Sequence, residues 1–152
     1  GSTNGFNFSL NHAKGHLFRV IVTPSGLTVR TDKDKKDTSI KSELIAQANA
    51  KFEKGKWYTL QVEMVGDTVV AITDNGLKVS GQHPRLDTEK PNYRFVMKGE
   101  TLSIDDLKIW SAEWVAPTDC DTRELPDALA SRIRSPDQRG GHVGMFLPAV
   151  SF

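Results

Sequence analysis

The feature that most restricts what this chain can fold into is a period-two alternation that restarts, strand length by strand length, through residues 6–110. Alternation puts the apolar residues on one face of an extended segment, whereas a helix needs a 3.6-residue period. Phe6-Asn7-Phe8-Ser9-Leu10 is such a segment. Leu17-Phe18-Arg19-Val20-Ile21-Val22 follows, rich in β-branched residues, and Pro24-Ser25-Gly26 turns the chain into Leu27-Thr28-Val29-Arg30-Thr31. The clearest hairpin lies at its centre. From Trp57 to Val65, Tyr58, Leu60, Val62 and Met64 share one face, and Thr59, Gln61 and Glu63 the other. Gly66-Asp67 is a two-residue connector with glycine first, which suits a type II′ turn, and the run from Thr68 to Thr73 returns. Asp74-Asn75-Gly76 tolerates positive φ and ends that strand. Short runs at 77–79, 93–97 and 102–110 complete the pattern. Repeated strands with no amphipathic helix between them predict an all-β, two-sheet antiparallel sandwich.

Residues 39–52 leave two readings open. Their composition suits a helix, with Ile40, Leu44 and Ala48 spaced by four, yet a strand through Leu44 and Ile45 with an irregular lead into Phe52 would keep the sheet continuous. Beyond Pro117 the alternation stops and prolines punctuate short apolar fragments. Residues 3–116 are therefore expected to form the sandwich and 117–152 an irregular C-terminal extension, packed on the sandwich or on a partner chain. Within it, residues 127–133 could make two helical turns. Covering an open sheet face in this way makes a homodimer through the extension a reasonable expectation.

Charge excludes more than it suggests. Twenty Lys plus Arg against nineteen Asp plus Glu leave a net charge of +1, which gives no long-range field to hold a nucleic acid. No apolar run approaches the roughly 20 residues of a membrane-spanning helix, and no signal peptide is read at the start. With one cysteine, Cys120, there is no internal disulfide and no thiol pair for zinc. Asp119 and Asp121 flank that thiol and make it a poor nucleophile.

Three stretches carry a resemblance: Gly55-Lys56-Trp57-Tyr58-Thr59-Leu60, Glu63-Met64-Val65-Gly66-Asp67, and Ile104-Asp105-Asp106-Leu107-Lys108-Ile109-Trp110. In them the region from about Phe18 to Trp110 resembles concanavalin A-like jelly-roll domains of bacterial secreted proteins. It is most similar to the group named for 3-keto-disaccharide hydrolases and labelled glycoside-hydrolase-16-like. The resemblance implies a carbohydrate or small-molecule ligand and a secreted or cell-envelope setting. The E-x-D-x-x-E strand of the retaining glucanases in that superfamily is absent from this sequence. A glycosidase needs two carboxylates about 5–10 Å apart, and Glu63 and Asp67, the nearest candidates, straddle a tight turn.

Other chemistry-bearing residues are sparse. Asp32, Asp34 and Asp37 offer hard oxygen ligands in the order of a calcium loop, without the glycine and distal glutamate of an EF-hand. The plainer reading is a solvated charged turn, since three interleaved lysines repel a dication. Asp105-Asp106 suggests a bulged final strand or a second calcium site. His12 and His16 are four apart but are interrupted by Gly15, which weakens a metal reading. His83-Pro84-Arg85, with Tyr93 beyond, sits in a long loop suited to a binding rim. Trp57, Tyr93, Trp110 and Trp114 are candidate stacking platforms for a sugar ring, with Trp57 and Trp110 equally suited to filling the core or its edge. Two functions follow as expectations. One is a carbohydrate-binding module, with His83, Arg85, Tyr93, Trp57 and Trp114 at its site. The other is a calcium-dependent hydrolase of a sugar derivative, lactone or other ester. In it Asp32, Asp34 and Asp37 hold the metal, and His83 or Glu63 activates water.

Overall fold

In the computed structural model, which describes residues 4–99, 101–111 and 143–151, the alternating runs become strands of two antiparallel sheets. The first sheet contains β1 (Gly5–His12), β2 (Gly15–Thr23), β3 (Gly26–Thr31), β4 (Leu44–Asn49) and β8 (Asn92–Lys98), in the order β4-β3-β2-β1-β8. The second contains β5 (Trp57–Val65), β6 (Thr68–Thr73), β7 (Lys78–Gln82), β10 (Lys108–Trp110) and β11 (Val143–Ser151), in the order β10-β11-β5-β6-β7. β9 (Ser103–Asp105) also pairs with β11. Among the described residues the one helical element is a 3₁₀ turn at Pro84–Leu86. The expected two-sheet sandwich is the architecture found.

Its core lies where the inner faces meet. Phe6, Phe8, Leu10, Phe18, Val20, Val22, Leu27 and Val29 come from the first sheet, and Tyr58, Leu60, Val62, Met64, Val69, Ala71 and Val79 from the second. Each fully buried side chain of this size contributes about 1.5–3 kcal/mol through removal from water. Rings add directional contacts: Phe95 of β8 lies 5.4 Å from Phe8 and 5.9 Å from Phe6, centroid to centroid.

The segment with two readings resolves as a strand. Leu44–Asn49 pairs with β3, and the chain then runs irregularly to Phe52, which is buried edge-on against Tyr58 at 5.0 Å. Ala46 and Ala48 pack on the core while Leu44 is exposed, so the i, i+4 spacing marks no common face. Sheet pairing overrides helix propensity here because β3 offers a free edge. Gly26 sits where that pairing is closest, and a Cβ there would lie 2.4 Å from the Ala48 carbonyl oxygen.

The β5–β6 hairpin has the expected register, Val65 opposite Thr68, and Gly66 takes φ 56 as the first turn residue. The final strand is bulged as expected. Asp106 breaks it with φ 49, and the Asp105 carboxylate accepts the Asp106 amide at 2.8 Å. β1 differs from a half-buried strand, because its outward residues Asn7 and Ser9 are buried as well. Cross-strand partners on both sides cover them: Ile21 and Val96 flank Asn7, and the long side chains of Arg19 and Arg94 flank Ser9. Within the C-terminal extension, expected to be irregular, Val143–Ser151 runs as a strand between β5 and β10. Trp114, Cys120, His142 and the helical turns expected at 127–133 lie outside the described residues.

Candidate functional site

Antiparallel connectivity brings four connections to one end of the sandwich. These are the β1–β2 turn, the β3–β4 loop, the β5–β6 turn and the β7–β8 connection. Two long-range hydrogen bonds fasten them. The His83 amide donates to the Asp67 carbonyl at 2.9 Å, and the Arg85 guanidinium donates to the Asp32 carbonyl at 2.8 Å. The sequence-expected residues His83, Arg85, Asp32, Asp34 and Asp37 therefore meet at this end. Tyr93 opens β8 there too, opposite Leu10, with its ring edge-on to Phe95 at 5.8 Å and 46% exposed. Trp57 does not join them. It opens β5 at the opposite end and is 47% exposed.

The β3–β4 loop is held by its own carboxylates. Asp34 Oδ1 accepts the amides of Lys36 at 2.7 Å and Asp37 at 3.2 Å, an Asx-type closure that fixes the backbone. Those two amides hold the Asp34 carboxyl below its ordinary pKa. Asp37 Oδ1 accepts both the amide (3.0 Å) and the hydroxyl (2.5 Å) of Ser39. Asp32 is buried and paired with Arg19, and its Oδ2 has no hydrogen-bond partner. The three aspartates expected to share a calcium ion thus each serve a separate local contact, and among the described residues no group of three or more His, Cys, Asp or Glu side chains gathers as a metal site. His12 and His16 also have local partners: His12 Nδ1 accepts the Lys14 amide at 3.1 Å, and His16 Nδ1 lies 3.0 Å from Asn11 Oδ1.

His83 caps the 3₁₀ turn. Its Nδ1 accepts the Arg85 amide at 3.2 Å, so the neutral ring carries its proton on Nε2, which points to Glu43 Oε2 at 3.5 Å. The Arg85 amide occupies the Nδ1 lone pair, and a general base needs an open lone pair. Glu63 is buried on the outer face of β5 and accepts a hydrogen bond from the Gln61 amide group.

The residues that sequence reasoning passed over are the lysines. A cleft of about 260 Å³ between the β1–β2 turn and the β3–β4 loop is lined by Lys14, His16, Lys33, Lys35 and Lys36, with Asp34 the one carboxylate. A second, wider cleft shares Lys33, Asp34 and Lys35 with the first and runs on to Lys41 and Ser42. Together these two clefts, with residues 33–35 as their shared lining, make up the trough. Interleaved lysines were visible in the sequence as an obstacle to calcium; Lys41 lies further along the same loop, whereas Lys14 comes from the β1–β2 turn and only the topology joins it to them. Neither the protein-family models, nor the curated proteins, nor the solved structures compared with this chain contain a match to it.

Proposed function

We propose that this domain is a non-catalytic carbohydrate-binding module whose binding face is the loop end of the sandwich. The observation that supports this reading most is the trough at that end. It consists of two clefts that share residues 33–35, lined by hydrogen-bond donors and built on a two-sheet scaffold. The motif resemblance to glucanase-like sandwiches supplies the ligand class. The hydrolase alternative is less well supported, because the Arg85 amide occupies the His83 Nδ1 lone pair and Glu63 is buried.

A glycan array carrying neutral and acidic polysaccharides tests the reading, together with an assay for newly formed reducing ends. Retention on at least one glycan class with no release of reducing ends is expected. A folded protein retained by no glycan would overturn it, and release of reducing ends would replace it with the hydrolase.

A further inference from the structure

We infer that the trough selects an acidic glycan, a polysaccharide bearing carboxylate or sulfate groups; this rests on the binding-module reading and names its ligand class. Lys14, Lys33, Lys35, Lys36 and Lys41 are all exposed around it, and among the described residues none has a carboxylate within ion-pair distance. The loop carboxylates Asp34, Asp37 and Glu43 are fewer than these five lysines and offset only part of their charge. Asp34 and Asp37 are turned into their own loop by backbone and Ser39 contacts, and Asp32 is taken by Arg19. The result is a local surplus of positive charge on a protein whose net charge is only +1.

A cleft in which one sign of charge predominates attracts a bound counter-charge at short range, while a small net charge adds little at distance. The ligand is therefore one recognised by short-range contact with several acidic groups. Two clefts joined at Lys33–Lys35 suit a chain with charges at intervals better than a single compact anion. Among the described residues no Phe, Tyr or Trp lines either cleft and His16 is the single ring there, so a row of stacking platforms for successive nucleobases, or for the apolar face of a neutral sugar, is lacking. Hydroxyl-rich, acidic saccharides need neither.

Calorimetric titration of the full chain with a sulfated glycosaminoglycan oligosaccharide, polygalacturonate, dextran, polyphosphate and single-stranded RNA tests this. A thermal melt checks the fold of each variant. The wild type should bind one or both acidic glycans, and more weakly as NaCl rises from about 50 to about 300 mM. The triple variant Lys33→Ala/Lys35→Ala/Lys36→Ala should lose about tenfold or more in affinity, as expected for several charge-assisted contacts removed together. Lys54→Ala/Lys78→Ala, two exposed cations at the other end, should bind like the wild type. A milder pair, Lys14→Ala/Lys41→Ala, serves if the triple variant fails to fold and should also weaken binding. Equal binding by folded trough variants overturns the inference, and so does binding of polyphosphate or RNA as tight as that of the acidic glycans. Binding of dextran alone overturns it and leaves the binding-module reading standing. Binding of no glycan at all removes both.

Discussion

At Gly81 the two sheets come so close that an added Cβ would sit 2.6 Å from Ile45 Cγ2 and 3.0 Å from the Ile45 carbonyl oxygen. Gly81→Ala must displace a β-branched side chain and a strand backbone, which should cost about 1–3 kcal/mol, read from the urea midpoint. Asn7 makes the opposite case. Its Oδ1 is buried without a hydrogen-bond partner between Ile21 and Val96, so Asn7→Val should raise stability by about 1 kcal/mol in the same assay. Asp34 gives the pH dependence. Its folded-state pKa lies below the unfolded value, so its contribution is fully present above the unfolded pKa and is lost as pH falls through the folded one. Asp34→Asn keeps an acceptor without the charge. The stability gap between wild type and this variant should therefore narrow on acidification, in urea titrations run at neutral and acid pH.

Among elements, the β5–β6 hairpin was fully legible because alternation, β-propensity and a Gly-Asp connector agree. β4 was ambiguous because Leu, Ala and Gln favour a helix, and the β3 edge that captures it is a tertiary fact. β11 was invisible: Pro148 and the lack of alternation hide a strand whose pairing comes from β5 and β10. The candidate site was legible in part. The charged β3–β4 loop was identified, but attention fell on its aspartates, whereas local hydrogen bonds occupy those and leave the lysines facing solvent. At the element scale, Phe52→Ala removes the ring that seats the irregular β4–β5 connection on Tyr58. A loss of about 3–5 kcal/mol is expected, with the urea midpoint as the measurement.

For the whole molecule, β11 connects the two halves of its sheet, pairing with β5 on one side and with β9 and β10 on the other. A chain ending after residue 142 would expose the β5 edge, and open edges recruit other strands. Such a truncation should melt at lower temperature and should sediment as larger species, which analytical ultracentrifugation would show. An unchanged melting temperature with a single small species would contradict the pairing.

The contact of Ile45 with Gly81 fastens the β4 and β7 margins together, so the sandwich has a spine on that side. Breathing of the two layers then has to begin at the far margin, around β8 and β10. Deuterium should accordingly enter the amides of those two strands long before it reaches the stitched side.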